Sequence, residues 1–209
     1  MKANWTIVSI AGLLAVIFYF SFSLVAFVYY PAPYSPLTNW LSDLGNPQVN
    51  SSGAIFYRLG GILTSVCLIA FFIALSKWHN ADNKMKILKT VGQTFGVFGA
   101  SAFITSSVFS LGVNNSIHSL FSTMLFIFFG FFEIFMASAL RRSPMRVKAL
   151  PYFGFSIAMI NFLLGVSFNF TDFFVGEWIM IGMLISFIIV LATLQNARFS
   201  HAAKTGNGR

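Results

Sequence analysis

Six long apolar stretches alternate with short polar segments along almost the whole chain. A helix that crosses the roughly 30 Å hydrocarbon core of a bilayer needs about 20 residues. A spanning segment must be helical, because an unpaired backbone amide in hydrocarbon costs several kcal/mol. The pattern therefore predicts an all-α, polytopic membrane protein, a bundle of six transmembrane helices over about 5–30, 54–76, 89–112, 118–140, 151–170 and 177–195.

The composition supports a membrane protein and leaves room for one domain. Of the 209 residues, 57% are hydrophobic and only 9% are charged, whereas about a quarter of a soluble domain is charged. Lipid is the solvent that tolerates so apolar a surface. We expect a single membrane domain over 1–195 and a polar cytoplasmic tail over 196–209, which we expect to be disordered.

The net charge of +8 reflects membrane orientation rather than a nucleic-acid surface. Of the thirteen Lys and Arg residues, only Arg58 falls on one side of the predicted bundle. By the positive-inside rule, both termini lie in the cytoplasm, in a multi-pass protein of the cell membrane. The twelve cations on the predicted inner side are Lys2, Lys77, Lys84, Lys86, Lys89, Arg141, Arg142, Arg146, Lys148, Arg198, Lys204 and Arg209.

The longest predicted outer connection has the pattern of a short amphipathic helix over about 36–44. Ser35 followed by Pro36 is a typical helix start, and Gly45 before Asn46-Pro47 is a typical helix end. Apolar positions at i, i+3, i+4 and i+7 form one face: Leu37, Trp40, Leu41 and Leu44. The opposite face carries Asn39, Ser42 and Asp43. We expect this helix to lie at the outer membrane interface.

This segment resembles the domain of unknown function 998 family, small six-helix membrane proteins of archaea and bacteria. The resemblance rests on Tyr34-Ser35-Pro36, Leu41-Ser42-Asp43-Leu44-Gly45, Asn46-Pro47, Phe56-Tyr57 and Gly60-Gly61. His118 also resembles a family feature. Because the family is uncharacterised, the resemblance implies a six-helix fold and a site near this segment, but no reaction.

Arg58 requires a partner, because it lies about one turn inside the second helix, where an unpaired cation is costly. Asp43 is the nearest acid in sequence, and Asp172 and Glu177 are alternatives. One interpretation is a structural clamp that pins the outer connection to the bundle.

A second interpretation is a polar pocket for a lipid headgroup or a small ligand. A third is a catalytic pair of Asp43 and His118, with Ser42 or a water molecule as the nucleophile. One well-placed histidine is too few for a zinc or haem site, so we expect no metal and no cofactor. The candidate ligand-binding residues are Asn39, Ser42, Asp43, Arg58 and His118.

Glu133 is the single acid within a predicted transmembrane segment, and intramembrane acids are functional candidates by default. Gln93 and Asn161 fall at a comparable depth and are its expected hydrogen-bond partners. The alternatives are a packing contact between helices and a proton or ion relay. The outer half of the third helix is polar and either lines a cavity beneath the outer connection or bonds to its own backbone. Its residues are Ser101, Thr105, Ser106, Ser107 and Ser110.

Three function classes remain open. The first is a non-enzymatic protein that binds membrane lipids or a membrane protein partner through its outer face, favoured because no complete catalytic set is visible. The second is a lipid-directed enzyme that uses Asp43 and His118. The third is a small transporter that uses Glu133, although broken helices and inverted repeats are missing.

Overall fold

The computed structural model describes residues 6–78, 80–143, 148–167 and 172–206, the side chains of 167 and 195–206 excepted. Each of its six long helices contains a stretch long and apolar enough to cross a membrane. The predicted six-helix membrane fold is therefore confirmed. The helices are α1 Ile7–Val28, α2 Ala54–Ala74, α3 Asn83–Val108, α4 Asn115–Arg141, α5 Ala149–Ser167 and α6 Phe174–Gly206, with short 3₁₀ helices at Leu41–Gly45 and Leu75–Lys77.

Two helix boundaries differ most from the hydropathy pattern. α3 begins at Asn83 rather than near 89, because the Asp82 side chain accepts a hydrogen bond of 2.6 Å from the Met85 backbone N–H and caps the helix. α6 continues to Gly206, so the expected disorder of 196–206 is wrong, while 207–209 lie outside the described residues. The stretch up to Gly206 lacks proline and is rich in Ala, Lys and Arg, which are good helix formers.

The helices pack in chain order and close into a ring. Each helix packs against the next, and α1 returns to pack against α6. The Ser9 hydroxyl closes this seam by donating to the Ala192 carbonyl at 2.7 Å. Close approach of α2 and α3 depends on Gly96, where an added Cβ would come within 2.6 Å of the Phe72 ring. Fully buried phenylalanines fill the centre: Phe71, Phe72, Phe129, Phe132 and Phe187.

The cation-rich end of the bundle is where α2 ends and α3 begins. Lys89 is only 2% exposed there, and its ammonium donates to the Ser76 carbonyl at 3.1 Å and to the Trp78 carbonyl at 2.6 Å. These carbonyls follow the last turn of α2, where a cation satisfies acceptors that the helix leaves unpaired. At the same end, Arg142 pairs with Asp82 at 3.0 Å.

The opposite end, which we call the loop end, carries the connection 29–53 between α1 and α2. Asn50 holds this connection in place and is 0% exposed. Its amide nitrogen donates to the Ala26 carbonyl at 3.0 Å and the Leu44 carbonyl at 2.9 Å, and its oxygen accepts from the Gly53 N–H at 3.1 Å. One side chain therefore joins the end of α1, the 3₁₀ helix and the start of α2.

Candidate functional site

The predicted amphipathic helix over 36–44 forms as two pieces. A single turn at 36–38 is followed by extended backbone at Trp40 and then by the 3₁₀ helix Leu41–Gly45. The Asp43 carboxylate accepts the Trp40 backbone N–H at 2.9 Å and so starts a new helix instead of extending the first turn. As a result Leu37 is 74% exposed, while Leu41 and Leu44 are buried.

Ser42 points into the bundle, whereas the sequence placed it on a solvent-facing side. It is 7% exposed, and its backbone N–H and hydroxyl both donate to Glu177 Oε2, at 3.2 and 3.3 Å. Glu177 lies in the first turn of α6, where the unpaired N–H groups of a helix favour a carboxyl group. From the sequence, Glu177 was only an alternative partner for Arg58, whereas in the structure it accepts hydrogen bonds from Ser42.

His118 lies in the first turn of α4 and is 8% exposed. Its Nδ1 is 3.0 Å from the Ser106 carbonyl oxygen, and its Nε2 is 3.4 Å from the Ser122 hydroxyl. Ser106 is in the last turn of α3, where carbonyls lack a helical partner. A carbonyl oxygen only accepts, so Nδ1 carries the proton and Nε2 presents its lone pair.

Ser42, His118 and Glu177 share the wall of a cavity of about 260 Å³ at the loop end. The walls come from the α1–α2 connection, from α4 and from the start of α6. The lining residues are Trp40, Ser42, Leu111, His118, Ser119, Ser122, Thr123, Phe126, Asp172 and Glu177. Most of these side chains are polar or charged, and Trp40, Leu111 and Phe126 add an apolar part to the wall.

A narrow recess of about 30 Å³ adjoins this cavity and shares Ser42, His118 and Glu177 with it. Ser107 and Ser110 line it, and their buried hydroxyls have no hydrogen-bond partner in the part of the chain that the structure describes. The recess is large enough for a water molecule or a small polar group. The expectation that the end of α3 lines a cavity therefore holds for Ser106, Ser107 and Ser110, while Ser101 and Thr105 bond to their own helix backbone.

Arg58 does not form the expected clamp with an acid. Its guanidinium donates to the Ser107 carbonyl at 3.3 Å and to the Val108 carbonyl at 2.9 Å. Like His118, it satisfies the carbonyls that end α3. Asp43 bonds to Trp40 instead, so the two residues serve separate parts of the loop end, and Arg58 is not among the residues that line the cavity.

Asp43 and Asn39 stabilise the connection rather than line the cavity. Burial raises the pKa of the half-buried Asp43 carboxyl, and the hydrogen bond from the Trp40 backbone works in the opposite direction. The Asn39 side-chain oxygen accepts from the Ser35 backbone N–H at 3.1 Å and the Thr38 hydroxyl at 3.0 Å. Of the five predicted ligand-binding residues, Ser42 and His118 line the cavity.

An apolar groove lies on the other side of the 3₁₀ helix, between α1 and α6. It encloses about 270 Å³ and is lined mostly by Phe, Leu and Ile side chains. Leu41 and Leu44 face this groove, while Ser42 faces the polar cavity. Trp178, next to Glu177 in α6, lines the groove, and its buried indole N–H has no hydrogen-bond partner within the described ranges. Polar and apolar sites thus meet at one short segment.

Glu133 lies far from this cavity, between α4 and α5. It is 0% exposed, and its Oε2 accepts from the Asn161 side-chain amide at 2.7 Å. Of the two predicted hydrogen-bond partners of Glu133, Asn161 is therefore the one that the structure shows. Gln93 is not, because its amide donates to the Phe72 carbonyl at 2.7 Å. The described part of the chain contains no cluster of three or more His, Cys, Asp or Glu residues that could hold a metal ion.

Comparison with known proteins identifies the family of the chain. Residues 13–198 match the family model described as a protein of unknown function (DUF998). The match covers most of the chain, so the resemblance suggested by the segment around Ser42 is confirmed. No curated protein and no solved structure matches the chain.

Proposed function

The chain belongs to the DUF998 family of proteins of unknown function, and we propose that it is an integral membrane protein that binds a membrane lipid at its outer face. The lipid headgroup occupies the polar cavity at the loop end, and an acyl chain lies in the apolar groove beside it. The observation that carries the proposal is this pairing of a cavity of about 260 Å³ with a groove of about 270 Å³.

The 3₁₀ helix separates the two sites in a way that suits an amphipathic ligand. Ser42 faces the cavity, and its neighbours Leu41 and Leu44 face the groove. In α6, Glu177 faces the cavity, and the adjacent Trp178 faces the groove. A molecule with a polar head and an apolar tail can therefore satisfy the buried hydroxyls and the apolar wall together.

The cavity belongs at the outer side of the membrane if both termini are cytoplasmic. Twelve of the thirteen Lys and Arg residues fall on the opposite side in the predicted topology, which supports this orientation. A cysteine introduced by Ser116→Cys at the start of α4 should react with a membrane-impermeant maleimide added to intact cells, in a Cys67→Ala background. Reaction only after the cells are opened would contradict the orientation.

The alternatives receive less support. An enzyme that uses Asp43 and His118 together requires both at one site, yet Asp43 is not among the residues that line the cavity. The Ser42 hydroxyl donates to Glu177 rather than to a histidine base. A transporter that uses Glu133 requires a path to that residue, which is fully buried and bonded to Asn161. Binding of a ligand, by contrast, requires only the hydrogen-bonding side chains that line the cavity and no catalytic arrangement of them.

Native mass spectrometry of the protein released from its own membrane tests the proposal. Ser119 lines the cavity and is exposed, so Ser119→Trp fills the cavity without disturbing the buried core. Ser116→Trp is the matched control, because Ser116 is exposed on the same helix and outside this cavity lining. We expect a bound lipid in the wild type and in the control, and its loss in Ser119→Trp. Equal lipid retention in all three proteins would refute the proposal.

A further inference from the structure

The charged side chains that line the cavity are all acidic. Glu177 and Asp172 contribute carboxyl groups, and no Lys or Arg is among the lining residues that the structure describes. Arg58, the one cation that the predicted topology places at this end, is bonded to backbone carbonyls at the end of α3. Glu177 is partly buried and its Oε2 accepts two hydrogen bonds from Ser42, whereas Asp172 is exposed. A bound cation would bring the opposite charge that these hydrogen bonds do not supply. The cavity is therefore short of positive charge.

His118 adds a further acceptor to the same wall. Its Nδ1 proton is committed to the Ser106 carbonyl, 3.0 Å away. The Nε2 atom therefore carries a lone pair and lies on the side of the Ser122 hydroxyl, at 3.4 Å, which is a long hydrogen bond. Ser122 also lines the cavity. A ligand N–H that enters the cavity can take the place of this weak contact and donate to Nε2.

The recess beside the cavity also indicates a polar ligand, independently of the Glu177 and Asp172 carboxyl groups. Ser107 is 5% exposed and Ser110 is 2% exposed, and neither hydroxyl has a hydrogen-bond partner among the described residues. Both hydroxyls line the recess that Glu177 and His118 also line. Buried hydroxyls are normally satisfied, so this recess is built to take a polar group or the water that accompanies it.

We propose that the cavity recognises a primary ammonium group, whose three N–H groups donate hydrogen bonds to Glu177, Asp172 and His118 Nε2. This rests on the proposed function and names the headgroup class: an aminated headgroup such as that of phosphatidylethanolamine. A trimethylated headgroup carries the same charge without an N–H bond and cannot use the His118 acceptor. An anionic headgroup meets two carboxyl groups and is rejected.

The experiment compares binding of four probes to the purified protein by titration in native mass spectra. Three are dioctanoyl lipids with the same chains: phosphatidylethanolamine, phosphatidylcholine and phosphatidylglycerol. The fourth is free ethanolamine, which tests whether the amine alone is sufficient. We expect phosphatidylethanolamine to bind at least about 10-fold more tightly than the other two lipids, since a charged hydrogen bond is lost with each.

Two variants remove one negative charge each from the same end of the bundle. Glu177→Gln keeps an oxygen that accepts from Ser42 and removes the charge from the cavity wall. Asp43→Asn keeps an oxygen for the Trp40 N–H and removes a charge outside the cavity lining. We expect phosphatidylethanolamine to bind about 10- to 100-fold more weakly to Glu177→Gln and unchanged to Asp43→Asn.

The outcomes separate this inference from the proposed function. Equal binding of the three lipids, all blocked by Ser119→Trp, would overturn the ammonium inference and leave lipid binding standing. If no lipid is displaced by Ser119→Trp, both fail. Free ethanolamine that binds as tightly as the lipid, and is weakened by Glu177→Gln, supports ammonium recognition and identifies a soluble amine as the source. If Glu177→Gln and Asp43→Asn weaken phosphatidylethanolamine binding equally, the preference comes from the overall negative charge of this end of the bundle, and the inference is overturned.

Discussion

Asn50 is the residue on which the geometry of the loop end depends most. Its side chain is fully buried and makes three hydrogen bonds, two as donor and one as acceptor. Asn50→Asp has nearly the same shape and keeps the acceptor for the Gly53 N–H, but it loses both donors. The carbonyls of Ala26 and Leu44 then face a carboxylate with no proton to share.

The expected loss of stability follows from these two carbonyls. A buried polar group left without a partner costs about 1–3 kcal/mol, so two of them cost about 2–6 kcal/mol. This is a large part of the 5–15 kcal/mol typical of a folded domain. The 3₁₀ helix is tied to α1 and α2 through Asn50, so we expect the loop-end cavity to be lost before the bundle unfolds.

The free energy of unfolding is measured by titrating SDS into the protein in mixed micelles and following far-UV circular dichroism. Asn46→Asp is the matched control, since the Asn46 side-chain oxygen accepts from the Gln48 N–H at 2.9 Å and this acceptor survives the change. We expect the control to stay within about 0.5 kcal/mol of the wild type. A stability of Asn50→Asp equal to that of Asn46→Asp would refute the reasoning.

Three further predictions concern polar side chains elsewhere. Glu133→Gln offers Asn161 both a donor and an acceptor, so SDS titration should show unchanged or increased stability, whereas Glu133→Leu should cost about 1–3 kcal/mol; a large loss in Glu133→Gln would contradict a packing role. Lys89→Met leaves the Ser76 and Trp78 carbonyls without the ammonium donor, so it should destabilise the protein by about 1–3 kcal/mol. Lys86 is exposed, so Lys86→Met should not destabilise it, and equal effects of the two changes would refute this. Burial raises the pKa of Asp43, so the folded state favours the neutral carboxyl group. The wild type should therefore lose stability relative to Asp43→Asn as the pH rises above about 4. A stability difference that does not change with pH would contradict this.

The helices were predictable from the sequence because hydrocarbon imposes a simple requirement of length and apolarity. The ends of the helices were less predictable, since they depend on single side chains. The Asp82 cap starts α3 before the apolar stretch begins, and α6 continues past the apolar stretch to Gly206. A window of mean hydropathy does not detect either feature.

The site was predictable in part. The motif around Ser42 and the position of His118 both indicated the loop end, and both residues line the cavity. The partner of Ser42 was not predictable, because Glu177 is 135 positions away and only the packing of α6 brings it close. Two signals pointed there: a carboxyl group in the first turn of a transmembrane helix, and hydroxyl residues on the facing ends of α3 and α4.

The expected pairing of Asp43 with Arg58 was wrong because of local backbone geometry. A continuous α-helix over 36–44 would present Ser42 and Asp43 on one polar face. The extended backbone at Trp40 and the tighter 3₁₀ turn that follows rotate these side chains relative to that pattern. Ser42 then points to Glu177, and Asp43 caps the segment that contains it. Hydrophobic periodicity does not reveal such a break.

The most direct test of the account is a crystal structure grown in a lipidic mesophase doped with lipid extracted from the native membrane. We expect a headgroup in the loop-end cavity, with polar atoms about 2.7–3.2 Å from the Glu177 carboxyl group and His118 Nε2. We also expect an acyl chain along the groove lined by Leu41, Leu44 and Trp178. A cavity that holds only water, with lipids ordered elsewhere on the protein, would contradict the account.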